Sequence, residues 1–442
     1  MIKDKAKFIS FLEENKDELV LNLKKAHFSS LSSVTAVEVA DLAEKHGFLI
    51  NESSNITDGE INFILEKARP SAIGNNMFCM GCSACANVCP SDALNIQMNK
   101  DGFYKPTLHE KNCIKCNLCV KGCPAIGLPE SSNTKTPKTY ELIANDDDLL
   151  FASASGGAFG LLANNILKDN GVVFGVAWRE DFSAGHISIN KKSDLHLLQK
   201  SKYLQSYIGK EVYRNLKRSL DEGKRVLFSG SPCHVHGLNN YLGDHSYSNL
   251  LTVDILCAQA PSTKIFQKYL ADTFGENNVK DYTFRSKVNG WNHCATTTTT
   301  TTTTVNGVTG TSFYGDTNND SYQRVYHSGY IKPEHCAFCK YSELSRPADI
   351  TIGDFWWVSK KDDDLHPEHK KGLSVVLANN INGEKAIDST KPDTKVLKEV
   401  PLDWVGPNGG LFKRRCGDMG NLQKRKDFKK FYEIGQGDKH EV

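Results

Sequence analysis

The sequence predicts a multidomain chain of mixed α+β and α/β class, and three observations predict it. At 442 residues the chain is too long for one ordinary core and should divide into two or three domains. Eight of its fourteen cysteines crowd between Cys79 and Cys123, which marks off a compact module. From about residue 140 to residue 405, apolar runs of strand length alternate with stretches of helical periodicity, as in an α/β domain with a mostly parallel or mixed sheet.

Residues 1–72 read as a helical N-terminal cap. Phe8, Ile9, Leu12, Leu19, Leu23 and Ala26 recur at helical spacing, and Val34, Val37, Ala40, Leu42 and Ala43 begin a second helix that stops at Gly47. Asp58 caps a third, running to Ala68 and ended by Arg69-Pro70. This layout weakly resembles the helical leader domains of nitrile-hydratase-like precursor peptides, and it reads more simply as an extra cap on the main body. The cysteine module spans 74–130, and the polar linker LPESSNTKTPKTY follows at 128–140. In the core, 140–405, the segments 171–178, 225–230, 250–257 and 348–356 are expected to be buried strands. Leu161–Leu167, Val212–Leu220 and Lys264–Phe274 are expected to be helices. The nine threonines Thr296–Thr304 suit a strand, and Val305-Asn306-Gly307-Val308 suits a type I′ turn, so 294–314 reads as a β-hairpin without chemistry. A basic tail, 406–442, reads as a solvated helix, with docking of an acidic ferredoxin as the lesser alternative.

Charge and hydropathy narrow the function classes. Lys plus Arg number 54 against 52 Asp plus Glu, which gives no case for nucleic acid or a membrane surface. No apolar run approaches the roughly 18–20 residues of a membrane span. The opening MIKDKAKFISFLEENKDELV carries acids where a secretory signal would be apolar, so a cytoplasmic protein is expected. In such a compartment fourteen cysteines point to metal or redox chemistry rather than disulfides.

Cys79, Cys82, Cys85 and Cys89 stand in C-x-x-C-x-x-C-x-x-x-C-P, and Cys113, Cys116, Cys119 and Cys123 repeat it. Three thiolates two residues apart wrap one corner of a cubane, and in two-cluster ferredoxins the fourth ligand comes from the other motif. One [4Fe–4S] cluster is therefore expected on Cys79, Cys82, Cys85 and Cys123, and the other on Cys113, Cys116, Cys119 and Cys89. Zinc sites usually space paired C-x-x-C units further apart and lack the trailing C-P. The module is read as a bacterial-type two-cluster ferredoxin.

Further pieces of the chain carry a resemblance. DGFYKPTLHEKNC between the motifs, then SASGGAFGLLANNIL, SKYLQSYIG, VLFSGSPCHVHGL, LLTVDILC, FRSKVNGW, CAFC and ADITIGDFWW, resemble in sequence and order the beta subunits of deazaflavin-coenzyme-reducing hydrogenases and related dehydrogenases. The likeness covers about three-quarters of the chain and is to the bacterial variant with a fused ferredoxin module. It implies an α/β flavin-binding core with a mixed sheet. An FAD site is implied at Ser153, Ser155, Gly156 and Gly157, where a loop before a helix would bring backbone N–H groups to a diphosphate. Lys202, Tyr203, Gln205 and Ser206 are implied beside the flavin, Lys202 balancing negative charge. Cys233, Cys257, Cys336 and Cys339 make a third [4Fe–4S] site plausible; inert thiols, or a zinc site using His234, His236 or His335, are the alternatives. The chain departs from the family at Gln259, where C-x-G is usual. Arg285 and Lys287 are candidates for lining the site, Asp349 and Asp354 either orient flavin or substrate there or cap the turn, and Cys294 and Cys416 are unassigned.

These readings lead to an iron–sulfur flavoprotein oxidoreductase. It would pass electrons between an organic hydride donor or acceptor, either the deazaflavin coenzyme or another small substrate, and a redox partner protein. That partner would be a ferredoxin, or a hydrogenase or dehydrogenase subunit. Lys202 and His186 are candidates for proton supply. The alternative is a non-enzymatic carrier whose α/β domain only docks a partner enzyme.

Overall fold

The computed structural model describes residues 8–10, 12, 18–24, 33–51, 53–56, 60–126, 136–291, 296–304, 307–356, 358, 362 and 365–405. Cys294, Cys416, the turn residues Val305 and Asn306, and the basic tail lie outside them.

The core is built on a nine-stranded mixed sheet. Its centre is four parallel strands, β8 (Val172–Trp178), β11 (Val226–Gly230), β12 (Leu250–Ile255) and β16 (Ile350–Asp354), side by side in that order. Helices cover both faces, so these strands are apolar almost throughout. On one face Leu161, Leu162 and Ile166 of the helix Ala158–Lys168 pack on Val173, Leu227 and Val253. On the other, Tyr213, Leu216 and Leu220, one stripe of the helix Lys210–Asp221, pack with Val235 and Leu238 of the helix Pro232–Leu242 on Phe174 and Phe228. Antiparallel strands extend the sheet on both sides, β9 (Ala184–Ile189) beside β8, and β17 (Ser374–Ala378), β7 (Lys138–Ala144) and β18 (Thr394–Val400) beyond β16, while the short β10 (Ser206–Tyr207) runs parallel to β9 at its outer edge. The threonine run is a strand, β14 (Thr296–Thr304), paired from Thr296↔Gly315 to Thr304↔Gly307 with Gly307–Gly315.

The cysteine module is built into this core. Ala84 and Cys82 join the apolar cluster under the helix Lys210–Asp221. The Tyr213 hydroxyl lies 2.9 Å from the carbonyl oxygens of both Cys82 and His234, and Arg214 donates to the carbonyls of Asn87 and Cys89. Gln205, buried, accepts from the Tyr104 N–H at 2.6 Å and donates to the Met80 carbonyl at 3.3 Å. Gln205→Ala strands both backbone groups and is expected to cost about 2–3 kcal/mol. Urea titration of the anaerobic protein, followed by the module's visible absorbance, should show the earlier midpoint.

The first 72 residues correct the helical expectation. Residues 8–10 and 12, where the first predicted helix begins, are helical, and the second is Ser33–Lys45, ending before Gly47. Segments expected to be helical at 18–24 and 60–67 are instead strands β1 (Glu18–Lys24) and β4 (Glu60–Lys67), paired antiparallel, with Phe48–Ile50 and Asn55–Ile56 also on β4. In β4 the buried pair Phe63 and Leu65 follows the two-residue period of a strand. This sheet and helix share an apolar cluster with Phe78 and Phe338, whose ring centroids are 4.9 Å apart. Glu44 and Lys340 form a buried ion pair there; burial raises the Glu44 carboxyl to about 7 despite the lysine.

Candidate functional site

Backbone conformation explains how the cysteine loops gather their sulfurs. Gly81 and Ser83 in the first motif, and Lys115 and Asn117 at the matching places of the second, all have left-handed φ of 56–68°. Each pair winds the loop tightly and leads into a short helix, Ala84–Val88 or Leu118–Lys121. One cavity is walled by Cys79, Cys82, Cys85 and Cys123, and a second by Cys89, Cys113, Cys116 and Cys119. Burial first, then repulsion among neighbouring thiolates, raises Cys123 to about 12 and holds Cys85 well above the usual thiol range. Such crowded sulfurs ionise when they share a metal centre. Among the described residues no three His, Cys, Asp or Glu donors close on one point as a single zinc would need. Sulfurs spread around a void suit the larger cubane.

Of the other four described cysteines, two follow the carboxyl ends of adjacent parallel strands and two lie on a long connection. Cys233 opens the helix after β11, Cys257 lies two residues past β12, and Cys336 and Cys339 lie on the connection into β16. Cys336 is raised by burial and by Cys257, Cys339 and Cys233; Cys233 also feels Cys82 of the module. Arg346 fixes this geometry. Its guanidinium pairs with buried Asp254 at 2.8 Å and donates to the carbonyls of Ile255 and Tyr341, joining the end of β12 to the turn after Cys339. Buried Tyr341 fills the space between, in contact with Met80, and its hydroxyl is 2.7 Å from His236 Nδ1.

Beside these cysteines a cavity of about 420 Å³ opens at the carboxyl ends of β11, β12 and β16, where open α/β sheets place ligands. Its wall includes Ser153, Ser155, Gly157 and Phe159, the stretch from Leu198 to Ser206, Cys233, His234, Cys257, Arg285, Asp354 and Trp356. Gly157, at φ 97°, turns the chain into the helix Ala158–Lys168, whose first N–H groups lack intrahelical acceptors. Arg285 is 2% exposed; it makes a two-pronged pair with Asp354, donates to the Tyr203 hydroxyl and lies over the Trp356 ring.

Residues 223–403 match the family described as the carboxy-terminal part of the coenzyme F420 hydrogenase/dehydrogenase beta subunit, and residues 78–126 match the "4Fe-4S dicluster domain". The chain thus carries a region similar to the F420 hydrogenase/dehydrogenase beta-subunit carboxy terminus, preceded by a 4Fe-4S dicluster domain. Among solved structures, a chain from the xenon-derivatised F420-reducing [NiFe] hydrogenase complex of Methanosarcina barkeri aligns at 15% identity. The alignment covers 68% of this chain and 92% of that one, with a TM-score of 0.42. No curated protein matches the chain. Among the described residues no helix is long and apolar enough to cross a membrane.

Several of the motif residues also have partners elsewhere in the chain. The Gly156 N–H donates to Ser374 Oγ at 2.9 Å, and a Cβ there would stand 2.0 Å from the Leu142 carbonyl oxygen; Gly156 packs the loop onto β7 and β17. Gln205 borders the cavity, yet its amide is spent on the cysteine module. Lys287 sits behind the loop, donating to the carbonyls of Leu150 and Ser155 at 2.6 Å. Asp349 accepts from the Thr252 N–H and hydroxyl, fastening β16 to β12. His186 stacks on Phe228 behind the wall and burial lowers it to about 4, while His234, which sequence reasoning offered only to zinc, lines the cavity. Lys202 does line the cavity; its ammonium group donates to the carbonyls of Leu197 and Gln199, and burial, aided by Lys200, lowers it to about 7. Gln259, at the family's usual glycine position, donates to the Tyr326 carbonyl, and its own carbonyl is 3.8 Å from Cys257 Sγ.

Proposed function

We propose that the chain is an iron–sulfur flavoprotein oxidoreductase that relays electrons between a small organic redox partner at the cavity and a protein partner at the cysteine module. One observation carries the reading. Met80 lines both the large cavity and the void of Cys79, Cys82, Cys85 and Cys123, and Cys233 and Cys257 line the large cavity. Met80 and Tyr341 also share an apolar cluster with Cys123, Cys233 and Cys339, so core and module cysteines are close neighbours beside the cavity. When bound, FAD would exchange two electrons with an organic partner and one at a time with iron–sulfur centres.

The wall fits an acceptor-rich, planar ligand. Arg285 Nε and His234 Nδ1 are buried and have no hydrogen-bond partner among the described residues. The Ser153–Gly157 loop and the helix start behind it supply backbone N–H groups for a diphosphate. Phe159, Val176 and Leu198 give apolar surface for a ring system. Cys233, Cys257, Cys336 and Cys339 would hold a third [4Fe–4S] cluster, and the deazaflavin coenzyme or another hydride-exchanging molecule would be the organic partner.

Lys202 would answer incoming negative charge by taking a proton. Lowered to about 7, it is mostly neutral at pH 8, and a nearby diphosphate raises its pKa. FAD binding at pH 8 is therefore expected to take up as much as about one proton. Calorimetry in buffers of different ionisation enthalpy would measure it, and Lys202→Met should abolish it. The direct test of the whole reading is the cofactor content of the anaerobic protein.

A further inference from the structure

The two halves of the cysteine module are alike in backbone and opposite in dress. In the inner loop, Met80, Ser83 and Ala84 are 6%, 2% and 0% exposed, and a Cβ on Gly81 would meet Gln205 Nε2 and the Tyr104 carbonyl. The matching outer residues are Ile114, Asn117, Leu118 and Lys115, all exposed around exposed Cys116. Ile114 is 65% and Leu118 38% exposed, two of the few large aliphatic side chains left in water among the described residues. The inner loop is pressed on the core, whereas nothing among the described residues covers Ile114 and Leu118 of the outer one. Lys111, Lys115 and Lys121 flank these aliphatics and are exposed, against one acid in the segment, Glu110. Asp92, near Cys89, is already paired with Arg214.

We infer that the Ile114–Leu118 face is a docking surface for an acidic one-electron carrier protein, such as a ferredoxin. A small apolar centre ringed by lysines fits the small, salt-sensitive contacts of electron-transfer encounters, where charge steers approach and the apolar patch excludes water. It places the carrier against the wall of the void formed by Cys89, Cys113, Cys116 and Cys119, of which Ile114 and Asn117 are part. The exchange is one electron between the carrier's cluster and the outer site, with no bond made and no proton needed. The inference rests on the cluster assignment of the proposed function.

The test uses the full anaerobic chain and an oxidised acidic two-[4Fe–4S] ferredoxin, with binding read by calorimetry and iron counted on the same samples. Wild type should bind, and raising salt from about 50 to 500 mM should weaken binding roughly tenfold or more. The variant Leu118→Ser/Lys111→Gln/Lys121→Gln should bind at least about tenfold more weakly at low salt. Reduced ferredoxin should likewise pass its electron to the variant about tenfold more slowly, while the small dye methyl viologen reduces both proteins within about twofold. Equal ferredoxin affinity in variant and wild type, with iron content intact, overturns the docking surface and leaves the cluster reading standing. A wild type holding four or fewer irons in the module overturns the cluster reading, and this inference with it.

Discussion

Replacing Cys336 and Cys339 with serine is expected to remove about four irons from the full-length protein and leave about eight. Serine nearly preserves volume, so the effect reports ligation rather than packing. Cys336 is near enough to Cys257, Cys339 and Cys233 to be raised by them, whereas the module sulfurs line their own voids and their loops are held by Tyr213, Arg214 and Gln205. The ferredoxin-type EPR signals should therefore persist in the variant. Flavin bound at the cavity should persist too, but its reduction by ferredoxin should slow by orders of magnitude because the step between cavity and module is gone. An unchanged iron content would mean that these four cysteines hold no cluster.

Gly156→Val is expected to abolish flavin binding by breaking the loop from behind. The added Cβ would stand 2.0 Å from the Leu142 oxygen and 2.5 Å from the Ser374 nitrogen, both backbone atoms of adjacent strands, so neither can step aside. Either the loop lifts away from the sheet or β7 and β17 part, at a cost of roughly 3 kcal/mol or more. Ser374→Ala removes only the hydroxyl that accepts the Gly156 N–H and should cost about 1 kcal/mol with flavin retained. The graded pair separates a packing role from direct contact with the diphosphate. Stoichiometric FAD in the Gly156→Val variant would show that the Ser153–Gly157 loop does not form the site.

What the sequence made legible, and what it hid, divides by range of interaction. The cysteine spacing is a local signal, and the grouping of eight sulfurs around two voids follows from it. The parallel strands were legible for the same reason, as short apolar runs such as VVFGVAW and RVLFSG between amphipathic helices. The N-terminal strands were not. In 60–67 the alternation of Phe63 and Leu65 was masked by a plausible cap at Asp58 and a plausible stop at Arg69-Pro70, so local boundary signals outweighed a two-residue period. In the site, contacts with partners a hundred or more residues away leave no local signal. Gln205 lines the cavity but also holds Met80 and Tyr104, and Gly156 donates to Ser374 on another strand. Arg346, which ties two cysteine-bearing segments together, sits in no motif and left no signal.

Cofactor stoichiometry tests the proposed relay from the cavity through the core cysteines to the module. Anaerobically prepared, fully reconstituted chain should contain about twelve irons, about twelve acid-labile sulfides and about one FAD. Eight irons with no flavin, after reconstitution with excess FAD, would contradict it and leave a ferredoxin-like carrier whose α/β domain docks a partner.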